Sequence, residues 1–180
     1  MGTLDTFREA FGEGQRVSQF RVRGPFANNG GSSSSLTYSG GDLNEIFIKS
    51  AQFPSSNIGT MEIPWRGRKI KMPGDRVFNE WTISVSMDDE HQIYQAFVEW
   101  SNALNSHTNV ESAGAAQDLK QDWTITALGA DGAQNGSEMI MVGAWPSEVG
   151  TVDFNWETTD TIAEFSVTMQ FDYWTNDVTT

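Results

Sequence analysis

With 180 residues, 38% hydrophobic and 12% aromatic side chains and a charged fraction of 19%, the chain can enclose one packed core and is not a self-repelling disordered tail. The lack of cysteine excludes a disulfide scaffold, a thiolate metal site and a cysteine nucleophile. A net charge of −13 argues against a grip on nucleic-acid phosphates, which depends on cations that release counterions.

The first element is a short amphipathic arm over 1–14, in which Leu4, Phe7 and Phe11 fall at helical spacing before Gly12 and Gly14 break the pattern. Its plain reading is a terminal helix packed on its own domain. Residues 15–23 alternate imperfectly through Val17, Phe20 and Val22, as an edge strand would. The Gly- and Ser-rich run 28–35 reads as an exposed hairpin tip or insertion. A strand over 43–53 is stopped by Pro54.

Residues 54–74 mix three prolines and three glycines with Arg66, Arg68, Lys69 and Lys71. They form a long basic loop or an extended hairpin reaching from the body, and segments of that size in a small domain are usually functional. With Asp75 and Arg76 just beyond, these cations are candidates for docking on an acidic surface of a neighbouring copy. The plainer alternative is a solvated basic loop. Charge along the chain suits docking: residues 1–76 hold ten of the eleven Lys and Arg against seven acids, net +3, and residues 77–180 hold only Lys120 against seventeen, net −16. Composition drift could give the same partition, but a basic part meeting an acidic part predicts head-to-tail association.

After Asp75 the chain becomes regular. Trp81, Ile83, Val85 and Met87 alternate with small hydroxyl residues, which predicts a half-buried strand. Asp88 and Asp89 then suit a helix start, and Ile93, Phe97, Trp100 and Leu104 make one stripe of a helix over 89–104. Residues 105–117 form a polar connection. Further strands are expected over 123–128, 138–145 and 149–156, with Pro146 ending the second. In the closing strand Phe165, Val167, Met169, Phe171 and Tyr173 alternate with Ser166, Thr168, Gln170 and Asp172. The first set faces a core, and the second makes the outer side of a half-solvated antiparallel sheet.

Catalytic chemistry is not legible. The two histidines, His91 and His107, lie on the charged side of the expected helix and in the polar connection, so a triad or a multi-histidine metal site is not expected. No phosphate-cradling loop, dinucleotide fingerprint or serine elbow occurs. Asp88, Asp89 and Glu90 could suggest calcium or an acid pair, but a helix start explains them more simply. The expectation is no enzyme, catalytic residue, metal or cofactor. Residues 1–11 carry Asp5, Arg8 and Glu9 where a secretory signal needs apolar residues, and no later apolar run reaches about 18 residues. A soluble, unexported protein with no membrane-spanning segment is expected.

The stretch Met72-Pro-Gly-Asp-Arg-Val-Phe-Asn-Glu-Trp-Thr-Ile-Ser-Val, followed by the acidic helix start and Phe97-Val-Glu-Trp100, resembles the tail tube proteins of contractile-tailed bacteriophages. So do Gly143-Ala-Trp-Pro-Ser-Glu-Val-Gly150, Asp153-Phe-Asn-Trp156 and the ending Asp172-Tyr-Trp174. Together with the intervening segments, the resemblance covers about residues 43–174. The resemblance implies a mainly β fold, a β-sandwich or half-barrel of antiparallel strands with one flanking α-helix, filling 1–180 as a single tail tube domain. It also implies rings of six copies whose inner sheets join into one barrel, stacked into a hollow tube inside a contractile sheath, with Ser166, Thr168, Gln170 and Asp172 as candidates for the lumen or an outer surface. Implied partners are other copies, sheath and baseplate proteins, and genomic DNA that passes without specific binding; the implied location is the virion, after synthesis in the host cytoplasm. Trp81, Trp100, Trp145, Trp156, Phe171 and Tyr173 are the motif residues expected in the core. Segment 28–35 and the tail after Trp174 exceed the common pattern.

Two other readings fit part of this. The inner tube of a phage-derived injection device, a tailocin or secretion tube, would have the same sequence signature. A glycan-binding β-sandwich could use tryptophans as stacking platforms; Trp65, Trp145 and Trp174 are the ones not placed on an apolar face, whereas Trp81, Trp100 and Trp123 are.

Overall fold

A computed structural model describes residues 3–11, 14–27, 33–34, 37–38, 41–42, 45, 47–108, 115, 117–129, 132–134 and 137–178. In chain order these give helix α1 (Leu4–Phe11) and strands β1 (Phe20–Arg23), β2 (Phe26–Ala27), β3 (Ser33–Ser34), β4 (Thr37–Tyr38), β5 (Gly41–Asp42) and β6 (Ile48–Ala51). Strands β7 (Ser56–Trp65), β8 (Arg68–Phe78) and β9 (Trp81–Ser86) follow, then helix α2 (Gln92–Leu104). The chain finishes with β10 (Gln121–Ala127), β11 (Glu138–Val149), β12 (Glu164–Gln170) and β13 (Tyr173–Asn176).

The main sheet is antiparallel and runs β1-β10-β11-β12-β9-β6, with β13 also on β11. Its shape is set by β11, which changes partners halfway. Met139 to Val142 lie between β10 and β13, whereas Trp145 to Val149 pair with β12. The bend falls at Gly143, whose φ of +68° is left-handed and favours glycine. The Asp122 carboxylate accepts the Gly143 N–H at 2.9 Å, and the Asp172 N–H donates to the Val142 carbonyl at 3.0 Å. One sheet is thereby folded so that the Trp81 ring of one half lies 6.3 Å from the Trp123 ring of the other, in keeping with the mainly antiparallel β fold, sandwich or half-barrel, that the family resemblance implies.

Alternation along the strands fills that core. Trp81, Ile83 and Val85 of β9 and Phe165, Val167 and Met169 of β12 point inward from one half, and Trp123, Ile125 and Met141 from the other. Helix α2 plugs the opening with Ile93, Phe97, Trp100 and Ala103. Phe26 of β2 sits edge-on to Phe97, Trp100 and Trp123. The indole N–H groups of the three buried tryptophans each donate to a backbone carbonyl: Trp81 to Gln52, Trp100 to Leu119 and Trp123 to Pro25. Their polar atoms are therefore buried without an unmet bond.

Several expectations need correction. Helix α2 starts at Gln92 rather than residue 89, because Asp88 caps it: its carboxylate accepts the N–H groups of Gln92 and Ile93 while His91 turns through a left-handed φ of 56°. Pro146 does not end a strand. It sits at a register shift where, among the described residues, β11 pairs on one side only, which suits a residue with no N–H to donate. The strand expected over 149–156 is a connection instead, and Trp156 is fully exposed rather than in the core. The closing strand breaks after Gln170 to follow the bend in β11, so Phe171 stays buried but Tyr173, on β13, is 46% exposed. Trp81 and Trp100 are buried, and Trp145 packs half-buried against the core. The arm α1 leaves Leu4, Phe7 and Phe11 on the surface, so its stripe is not packed on the domain. Of segment 28–35, all but the backbone of β3 lies outside the described residues.

Candidate assembly surfaces

Residues 56–78 form a two-stranded ribbon, the hairpin alternative rather than a loop. Its turn is Arg66-Gly67, both at positive φ (46° and 81°), which matches the right-handed twist of the strands it joins. The register pairs Trp65 with Arg68, Ile63 with Ile70 and Met61 with Met72, and on the other face Pro64 with Lys69 and Glu62 with Lys71. Directly opposed residues share a face, so the ribbon is amphipathic. One face carries Met61, Ile63, Trp65, Ile70 and Met72, all exposed, with Arg68 at its tip. The other carries Lys69, Lys71 and Glu62, with Lys69 Nζ 2.6 Å from Glu62.

The cations expected in a docking segment thus divide between positions. Arg66 stacks over Trp65 at 5.3 Å, and Lys69 and Lys71 stand together on the polar face. Arg76 is tied to the ribbon's base, its guanidinium donating to Ser56 Oγ at 2.8 Å; Asp75 is exposed nearby. The sequence reading marked these charges and missed the apolar face between them. Period-two alternation of Met61, Ile63 and Trp65, followed after Arg66-Gly67 by Ile70 and Met72, carried that signal.

A second surface is the outer side of the half-sheet β11-β12-β9-β6. Thr168 pairs with Thr82, and Ser166 with Ser84, and the Thr82 and Thr168 hydroxyls approach to 3.4 Å. Phe165 packs on Tyr94 and Phe97 of α2, so Ser166 and Thr168, alternating with it, face away from the helix. Lys49 contacts Glu164 at one end of this face. Gln170 donates to Glu80 at 3.5 Å at the other. Asp172 is not part of the face; it holds Lys120 Nζ at 2.6 Å beside the Gly143 bend.

A third surface is the connection 150–163, which leaves Phe154, Trp156 and Ile162 exposed among Asp153, Glu157 and Asp160. Phe154 and Ile162 line an open cleft of about 670 Å³ with Lys49, Asp153, Thr161 and Glu164. Among the described residues no three His, Cys, Asp or Glu side chains converge to hold a metal ion, and no helix is long and apolar enough to cross a membrane.

A family model described as phage tail tube protein matches residues 16–177. Tail tube protein gp19 of Enterobacteria phage T4 is 29% identical over 126 residues, 70% of this chain and 77% of that protein. The tail tube protein of Serratia phage KSP90 is 22% identical over 176 residues, 95% of each chain. Among solved structures, a chain of the PVC sheath-tube complex, an extracellular contractile injection system in its extended state, superposes with a TM-score of 0.60 at 18% identity over 97% of this chain and 99% of that one.

Proposed function

The chain belongs to the phage tail tube protein family, and from that premise we propose that its copies join into rings of six, which stack into the hollow tube of a contractile tail and conduct the genome into the host cell. The observation that carries this reading is the unfinished surface of the lone chain. Among the described residues, the sheet path ends at β1 and β6, each with a neighbour on one side only, and the ribbon's apolar face is bare. Open edges and bare ribbons invite pairing with another chain. Edge-to-edge joining of copies satisfies both edges at once, and a heterologous contact whose rotation closes makes a ring.

The hydroxyl face formed by Thr82, Ser84, Ser166 and Thr168 lines the lumen. It offers a sliding polyanion short, uncharged hydroxyls with no free cation between them, and the net charge of −13 disfavours retention of DNA. The ribbon cations Arg66, Arg68, Lys69 and Lys71 contact the neighbouring ring, and Asp75 and Arg76 hold the ribbon's base. Sheath protein surrounds the tube and baseplate protein meets its tip. The chain works by assembly, with no catalytic step and no cofactor, as a virion component made in the host cytoplasm. The related fold in an extracellular contractile injection system favours a second reading, the inner tube of a device that delivers something other than DNA. The phage tail tube relatives make the genome-conducting tube the preferred one.

Negative-stain microscopy of the purified protein should show rings or tubes. A species that stays monomeric at high concentration refutes the reading. Thr168→Lys then tests the lumen face: tails should assemble, yet genome delivery should slow because the added cations attract phosphate. Normal delivery would remove this face from the channel, and blocked assembly would place it at a packed surface.

A further inference from the structure

We propose that the β7–β8 ribbon of one copy docks head to tail on the acidic, aromatic 150–163 segment of the copy in the next ring; this rests on the tube reading and names the surface that receives the ribbon.

The register carries the argument. The ribbon leaves the half-sheet between the end of β6 and the start of β9, where Ala51 pairs with Ile83 and Trp81 pairs with Met169. Segment 150–163 joins β11 to β12 at the other end of the same strands, where Val149 pairs with Val167 and Glu164 with Ser86. The two surfaces therefore stand at opposite ends of one half-sheet, about 17 Å apart at roughly 3.3 Å per residue. A neighbour displaced along the strand direction brings its ribbon against this segment, and the operation repeats without closing.

Composition fits the contact on both sides. The ribbon carries Arg66, Arg68, Lys69, Lys71 and Arg76 against Glu62 and Asp75, net +3, whereas residues 1–55 balance five basic against five acidic side chains. All the net positive charge of the first 76 residues thus sits on the ribbon. Segment 150–163 carries Asp153, Glu157 and Asp160 and no Lys or Arg, net −3. Each surface also exposes large apolar groups, Met61, Ile63, Trp65, Ile70 and Met72 on one and Phe154, Trp156 and Ile162 on the other. Arg66, stacked over Trp65, and Arg68, paired with it, border the apolar face, and apolar contact with a charged rim of opposite sign is how specific interfaces gain affinity and register.

Charge exchange tests the proposal. The double variants Arg66→Glu/Arg68→Glu and Asp153→Lys/Asp160→Lys should each raise the concentration needed for tube growth by tenfold or more, on the order expected for like-charge juxtaposition at an interface. Combining all four should restore growth. The monomers should keep the circular dichroism of the native chain, since the changed residues are exposed. Because the chain has no cysteine, a second measurement is clean: Trp65→Cys with Trp156→Cys in one chain, oxidised after assembly, should give a ladder of linked subunits, whereas either change alone should stop at dimers. If the 150–163 variant polymerises as the native chain does while the ribbon variant fails, or the fourfold variant is no better than either double variant, this docking is overturned and the tube reading stands. A native chain that forms no tubes overturns both.

Discussion

Replacing Trp123 by alanine should nearly unfold the protein, whereas the same replacement at Trp156 should leave its stability unchanged. Trp123 has no exposed surface, and its ring lies 5.6 to 6.3 Å from those of Phe26, Phe97, Trp100 and Trp81. It joins the two halves of the sheet to the helix. Truncating a buried tryptophan costs about 3–5 kcal/mol, and stranding the Pro25 carbonyl, which now accepts the indole N–H at 3.0 Å, adds about 1 kcal/mol. A domain's margin is about 5–15 kcal/mol, so the variant should be marginal or unfolded. Trp123→Phe keeps much of the volume and should cost about 1–3 kcal/mol, enough to measure in a folded protein. Trp156→Ala, at a fully exposed site, should fall within about 0.5 kcal/mol of the native value. Urea unfolding followed by near-ultraviolet circular dichroism, below the concentration of polymerisation, gives each free energy, and an unchanged slope excludes a change in the unfolded state. A Trp123→Ala protein within about 1 kcal/mol of the native one would refute this account of the core.

Three further outcomes follow from particular contacts. At Gly24 a Cβ would lie 2.2 Å from the Trp123 ring, so Gly24→Ala should cost about 1–3 kcal/mol through overpacking, lower the melting temperature and, by tilting edge strand β1, weaken ring closure more than folding. Gly143→Ala forces a side chain into left-handed backbone at about 1–3 kcal/mol, and its Cβ would meet Asp172 Oδ2 at 2.6 Å; denaturant titration should show this loss, whereas Lys120→Ala, at a partly exposed ion pair, should cost less than about 1 kcal/mol. Amide exchange along the ribbon should be fast in the monomer and strongly slowed in tubes, because a lone two-stranded ribbon is marginal in water; equal exchange in both states would detach the ribbon from assembly.

What could be read in advance was what depends on local period. Trp81 to Val85 and Phe165 to Met169 alternate cleanly, and strands lie there as the pattern put them, as does the stripe Ile93, Phe97 and Trp100 of α2. What could not be read depends on a tertiary bend. Proline normally ends a strand, which makes Pro146 read as a boundary; only the pairing of β11 with different partners on either side of Gly143 shows that at Pro146 it has, among the described residues, a neighbour on one side alone. The same bend flips Tyr173 out of the core face that Phe171 occupies. Trp156 departs from expectation for another reason: an aromatic residue in a family motif suggests core, but its place in a connection leaves it bare. For the assembly surfaces, the cations of the ribbon were visible as composition. Their division between two faces required the register set by the Arg66-Gly67 turn.

The folded sheet has two faces, two path-end edges besides the branch strand β13, and two ends, and each face and end has chemistry of its own. The inner face holds the aromatic core, and the outer face of β9 and β12 shows hydroxyls. The edges β1 and β6 lack a second neighbour among the described residues, and the ends carry a basic apolar ribbon and an acidic apolar segment. In the proposed tube, this separation would let one fold serve two associations of different symmetry. Contacts at the edges are related by a rotation and can close, so they limit themselves to a ring; contacts at the ends are related mainly by a translation and cannot close, so they continue. Placing the opposite charges at the ends favours stacking in one polarity, since inverting a subunit sets ribbon against ribbon or acid against acid. The charge asymmetry along the sequence, net +3 before residue 77 and −16 after it, becomes directional through the antiparallel register, which carries the two charged segments to opposite ends of the same four strands.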